Sequence, residues 1–299
     1  MARKGRNCLG VLLAGAIFLA GCARLGAHER QEREAFPSGP MALLPFENLT
    51  EVRGASQLIE RLVKEAVLGR GYEPIESTRL EDFLRRKRVR RTGEIDVPLA
   101  QALRKELGAA VILVGTIESF TITEPPRVGL FARLLSAADG SLLWAESAGF
   151  SGEDFHIALN LGKIRDPRIL AGRTVKALLS SLPRPGERGR EPGRGRGWNL
   201  FSPLSYYQRA TGTFGPFDFI AVLPFDNETR VKKATSIVHH LFIEELFRRG
   251  RFRVIAPGEV NRILRKYRIV ARGELSHEAL RTLGKAMRVV GIIIGSIIL

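Results

Sequence analysis

The sequence predicts an α/β protein built from two repeated β-α-β-α-α-β modules with mainly parallel sheets, the first completed by a β-hairpin and a helix. Three observations carry this reading. The phrase "ALLPFENLT" at 42–50 returns as "AVLPFDNET" at 221–229. The apolar run "AAVILVGTI" at 109–117 returns as "VVGIIIGSI" at 289–297, one residue later in register because of an extra residue after Gly250. Between these anchors, short apolar strands alternate with stripes of helical period, the pattern of a sheet packed against helices.

The elements follow in order. A strand at 41–44, or 219–223 in the second copy, stops at Pro45 or Pro224, because proline cannot donate to a sheet ladder. Phe46 and Phe225 follow, free to turn inward, and Asn48, Thr50, Asn227 and Thr229 are turn and cap residues. The first helix places Ala55, Leu58, Ile59, Leu62, Val63, Ala66 and Val67 on one stripe. Its counterpart places Ala234, Ile237, Val238, Leu241, Phe242 and Leu246 there. "GYEPI" and "GRFRVI" each give a glycine helix stop and a short strand. A second helix carries Leu80, Phe83 and Leu84, matched by Val260, Ile263 and Leu264. A third begins at a capping residue, Asp96 or Ser276. It leads into the two apolar runs, whose lack of alternation suits a strand buried on both faces.

Past Ile117 the copies diverge. The first continues into two strand-like runs over 128–147 around Asp139-Gly140, a strong hairpin turn. A helix over 165–182 then carries Ile169, Leu170, Val175, Leu178 and Leu179. The 128–147 hairpin reads as the sheet's own closing strands in preference to a membrane hairpin. The second copy stops within its third strand, with an apolar edge that nothing in that half covers. Either the reading frame is cut short or another surface supplies the missing strands. The organisation expected is 1–21 signal peptide, 22–40 tether, 41–182 first module, 183–216 Arg/Gly/Pro-rich linker and 217–299 second, incomplete module. The linker core "PRPGERGREPGRGRG" has nothing to bury.

The chain carries 47 Lys+Arg against 31 Asp+Glu, a formal charge of +16. Such a balance points to an anionic partner. The N-terminus narrows the choice. Arg3, Lys4 and Arg6 precede an apolar run from Leu9 to Ala20, too short to span a bilayer and shaped as a secretory signal. "LAGC" at 19–22 resembles the bacterial lipobox. That resemblance implies lipidation of Cys22, an outer-membrane anchor facing the periplasm, and exclusion of nucleic acid as a partner. The only other cysteine, Cys8, lies inside the signal, so no disulfide or thiolate metal site is expected.

The repeated phrase, the helix after it, "RGRFRVI" and "LRTLGKAMRVVGIIIGSI" resemble the curli-secretion lipoprotein (CsgG-like) family, the penicillin-binding-protein activator lipoproteins (LpoB-like) and the TolB amino-terminal domain. "TGEID", "LGAAVILVGTI" and "AADGSLLW" in the first copy resemble the same superfamily in complete form. The resemblance spans about 41–182 and 217–299. It implies a non-catalytic envelope lipoprotein that binds another envelope protein as an assembly or activator factor. The alternative it implies is a subunit of a curli-type outer-membrane secretion channel, which would be oligomeric. Channel subunits of that type carry two extra membrane hairpins, and the short connections here leave little room for them.

The densest basic run is "RRKRVRR": Arg85, Arg86, Lys87, Arg88, Arg90 and Arg91, with Arg265, Lys266 and Arg268 at the matching place in the second copy. These cations suit a helix C-terminus. They also form a candidate docking surface for an acidic protein, an anionic lipid headgroup or a cell-wall polymer. His240 and Glu244 stand four apart on a helix, but no third metal ligand accompanies them. His239 and His240 are therefore expected at the surface. With no nucleophile elbow, phosphate loop or dinucleotide glycine fingerprint, no catalytic residue, metal or cofactor is expected.

Overall fold

The computed structural model describes residues 35–155, 162–187, 218–250, 252–271 and 275–298, all within one compact unit, Ala35–Leu299. Cys22, the signal peptide and most of the tether and linker lie outside the described residues. Two runs of elements follow one another. The first is β1 (Pro40–Leu43), β2 (Glu47–Asn48), α1 (Gly54–Leu68), β3 (Glu73–Pro74), α2 (Ser77–Arg86), α3 (Val97–Leu107) and β4 (Val111–Thr121). It continues through β5 (Arg127–Ser136), β6 (Leu142–Ser151), α4 (Pro167–Leu178) and a 3-10 turn. The second run is β7 (Phe219–Val222), β8 (Asp226–Asn227), α5 (Ala234–Arg249), β9 (Arg253–Val254), α6 (Pro257–Tyr267), α7 (His277–Met287), β10 (Gly291–Ile293) and β11 (Ser296–Ile297). The order β-β-α-β-α-α-β thus occurs twice, and the α/β expectation holds.

The first sheet has six strands in the order β3-β1-β4-β5-β6, with β2 also on β4. β1, β2 and β3 run parallel to their neighbours, and the β5–β6 hairpin is antiparallel. Residues 127–151 therefore close the sheet. Alternation along the strands feeds two cores. Met41, Val111, Leu113 and Ile117 pack with α1 and α4 on one face. Ala42, Leu44, Ile112 and Val114 pack with α2 and α3 on the other. Burial on both faces explains the absence of polar alternation in "VILVGTI". Three stripe residues depart from expectation: Ile169 on the outer side of α4, and Leu241 and Phe242 on α5, are exposed.

The second sheet runs β10-β7-β9, with a separate β11-β8 pair, all parallel. Ala221 and Leu223 meet α6 and α7, while Val222 and Phe225 meet α5.

The repeated phrase has the same geometry both times. Asn48 Oδ1 accepts from the Thr50 backbone N–H at 2.8 Å and its hydroxyl at 2.7 Å, while Asn48 Nδ2 donates to the Val52 carbonyl at 3.0 Å. Asn227 makes the same three bonds to Thr229 and Val231, at 3.0, 2.8 and 2.8 Å. The phrase is a side-chain-closed turn that delivers the chain to the next helix. Asp96 caps α3 by accepting from the Leu99 N–H at 3.0 Å, and Ser276 caps α7 by accepting from Ala279 at 3.2 Å.

Between β1 and β2 the Phe46 ring lies over Gly115 of β4, so close that a Cβ there would fall inside the ring. Phe225 covers Gly295 in the same way, less tightly, with an added Cβ 2.8 Å from the ring. Gly115→Ala should therefore destabilise the chain by about 1–3 kcal/mol, the usual range for overpacking, and Gly295→Ala by less. Guanidinium denaturation measures both. Equal, near-zero changes would show that the two rings do not fix these strands.

Candidate functional site

The two modules meet through α5 and the start of α6 on one side and β4–β6 with the 91–97 segment on the other. α5 has little choice but to be covered twice. Val238, Ile243 and Leu246 face its own sheet, while Phe247 packs on the first module's core. His240 projects between them. Its ring stacks on Phe131 with centroids 4.2 Å apart, and its Nδ1 lies 2.7 Å from Glu118 Oε1. One turn on, Glu244 accepts a hydrogen bond from the Ser147 hydroxyl.

At the start of α6, Gly258 lies against the Ile95 backbone so closely that a Cβ would collide with the Ile95 carbonyl. Ala256 joins Ile95, Ala100 and Ala137 in the first module's second core. The neighbouring Glu259, held by Arg262 at 2.5 Å, accepts from the Val97 N–H at 3.5 Å. Glu94 and Arg265 form an ion pair across the junction at 3.0 Å.

Beside this junction opens a cleft of about 640 Å³. Glu47, Glu94, Thr116 and Arg133 line it from the first module, and His239, His240, Thr235, Ser236 and Asn261 from the second. Arg91, Arg265 and Arg268 line it as well.

Its most unusual member is Arg133, which is 3% exposed. The guanidinium Nη2 donates to the Gly93 carbonyl at 2.6 Å. Its Nε makes no hydrogen bond among the described residues. Burial draws its pKa down to about 10, opposed by the charges of Glu47 and Glu94, so it remains a cation at neutral pH.

The histidines are neutral. Burial lowers His239 to about 4 and His240 to about 3, and the charge of Arg133 adds to both shifts. His239 Nε2 lies 3.0 Å from the Val222 carbonyl, which assigns the proton to Nε2. Burial raises Glu118 to about 7. The His240–Glu118 pair shares a proton and carries no net charge up to that pH.

The basic residues singled out from sequence divide. Arg91 and Arg268 are separated by most of the chain, yet the structure brings both, with Arg265, to one cleft. Arg91 pairs with Glu94 at 3.1 Å. Arg85 turns instead to Asp82 at 3.0 Å, and Arg86 and Lys87 to Glu106 at 3.5 and 2.5 Å. Lys266 lies over the Tyr267 ring at 5.6 Å. Arg88 and Arg268, just past the ends of α2 and α6, both have φ of 54°, and Arg90 is exposed. The surface position expected for His239 and His240 is corrected: His239 is buried against Val222 and Phe225 of its own module, and the His240 side chain is only 12% exposed, covered by the first module. Among the described residues, no cluster of three His, Cys, Asp or Glu is placed to hold a metal ion.

No family model and no curated protein matches the chain. Solved structures that resemble part of it include the following three. The PelC dodecamer from Paraburkholderia phytofirmans is 14% identical over 52% of this chain and 91% of its own, with a TM-score of 0.35. The lipoprotein GNA1162 from Neisseria meningitidis is 18% identical over 48% and 99%, with a TM-score of 0.36. The LpoB C-terminal domain from Salmonella enterica is 13% identical over 43% and 90%, with a TM-score of 0.32. At scores this low the likeness has no bearing on function, and the α/β assignment rests on the chain's own elements.

Two outcomes test the junction. Gly258→Ala should separate the modules without unfolding either, splitting one calorimetric transition into two; a single unchanged transition would mean that the Ile95 contact is not needed for docking. The second concerns pH. Glu118 holds its proton more tightly folded than at its ordinary 4.5, so the stability it contributes is fully present below 4.5 and lost as pH rises through about 7. Glu118→Gln has no proton to lose. It should match the parent near pH 4.5 and exceed it by about 1–3 kcal/mol at pH 8, read from denaturation midpoints at the two pH values.

Proposed function

We propose that this chain is a non-catalytic, lipid-anchored envelope protein that acts by protein–protein binding as an assembly or activator factor at the periplasmic face of the outer membrane. Lipid on Cys22 fixes one end, and the segment after it gives reach. The residues 41–182 and 217–299 act as two copies of one binding module. The observation that carries this reading is the convergence of Arg91, Arg265 and Arg268, drawn from both modules, beside one junction. An acidic partner that touches this rim engages both modules at once. Half of the basic run, Arg85 to Lys87, faces the chain's own Asp82 and Glu106, while at the rim Arg91 and Arg265 share the one carboxylate of Glu94, so the rim keeps positive charge to offer.

The intact mass of the protein purified in detergent from its native membrane tests the anchor. The expected mass starts at Cys22 and includes three acyl chains, and Cys22→Ala should release the protein from the membrane fraction. A chain that retains residues 1–21, or a Cys22 without lipid, would sink the lipoprotein reading and return nucleic acid as a candidate for the +16 charge.

A further inference from the structure

We infer that the cleft between the modules binds a small oxyanion ligand, whose carboxylate or phosphate group is held between Arg133 at the floor and Arg268 at the rim. The inference rests on the docked modules and not on the lipid anchor, so either can fail without the other.

The floor supplies the main argument. Taking a guanidinium out of water costs several kcal/mol, and folded proteins offset this with a carboxylate at hydrogen-bonding distance. Arg133 has no such partner among the described residues. Only the Gly93 carbonyl receives a hydrogen bond from it, and its Nε has none. Buried polar groups are nearly always satisfied, so a guanidinium that lines a cavity, lacks a carboxylate and keeps an unpaired buried donor marks a side chain that a ligand oxyanion would complete.

The nearby carboxylates are engaged elsewhere. Glu94 faces Arg91 and Arg265, Glu118 faces His240, and Glu259 faces Arg262. Glu47 adds a negative charge near Arg133 but forms no ion pair with it. Its carboxylate instead occupies the space beside Gly93, where a Cβ would collide with it.

The rim and walls agree. Arg268 caps α6 in the left-handed conformation, its backbone N–H donating to the Arg265 carbonyl at 3.2 Å, which fixes where its side chain leaves the chain. It makes no ion pair among the described residues. The cleft holds four guanidinium groups against two carboxylates. Its histidines are uncharged, and Thr235, Ser236 and Asn261 supply neutral hydrogen-bonding groups. Planar guanidinium forks match the two oxygens of a carboxylate or phosphate better than any other common group. A cavity of about 640 Å³ is the size of a small-molecule site. Because Arg133 comes from the first module and Arg268 from the second, an occupant bridges them.

The test is calorimetric titration of the full chain in detergent at pH 7 and fixed ionic strength, with citrate and with inorganic phosphate as separate probes. One saturable site per chain is expected. Saturation by citrate alone identifies a carboxylate ligand, and by phosphate alone a phosphate ligand. Arg133→Gln should weaken binding about tenfold or more, the scale of one lost charge-assisted hydrogen bond, and Arg268→Ala about threefold to tenfold. Arg90→Ala, outside the cleft, should leave affinity unchanged. If Arg133→Gln does not fold, Arg268→Ala against Arg90→Ala decides. No saturable binding, or binding that Arg268→Ala and Arg90→Ala alter equally, would mean an adventitious ion only and would overturn the inference.

Discussion

Gly115 has no side chain, and Phe46 takes the space. β1 must break at Pro45, yet the chain has to return to the same neighbour, because Glu47 and Asn48 pair with Thr116 and Ile117 three residues further along β4. The phenyl ring seated on bare backbone makes that return possible, filling the gap the excursion leaves. From it follow the Asn48 turn and the entry into α1. Glu47 is placed by the same step, and its carboxylate reaches Gly93 beside Arg133. The electrostatics of the cleft floor thus descend from a packing contact on the sheet.

The second dependence is on α5. An ordinary surface helix buries one stripe and solvates the rest. This one has its own sheet on one side and the first module on the other, so polar residues at its edge are drawn inside. His239 finds the Val222 carbonyl and His240 finds Glu118, and both are left neutral in exchange. The junction is therefore part apolar contact and part buried polar pairing, the kind of interface whose geometry is specific because each polar atom needs its partner.

Much of the fold was legible in the sequence because it is local. Proline breaks, glycine stops, the Asp96 and Ser276 caps and the helical stripes all act within a few residues. What escaped was everything decided by the meeting of distant segments. β2 and β8 are only two residues each, below any periodic signal. The histidines looked superficial because one apolar stripe on α5 was visible and its second covered side was not. Arg133 did leave a trace: it is the single charge in the strand run "GLFARLLS", and a lone cation among residues buried on both faces is costly enough to mark a site. Arg91 and Arg268 were singled out as basic residues, but only the docking of the modules shows that they share a rim while Arg85 to Lys87 turn away.

Gly258 also distinguishes the two modules. The first module carries Thr78 at the place that Gly258 holds in the second, two residues into the corresponding helix. The 91–97 segment can approach the second module because no Cβ stands in its way. The same approach to a first module would meet the threonine side chain. The two halves therefore present different surfaces at this place, bare backbone at Gly258 and a threonine side chain at 78.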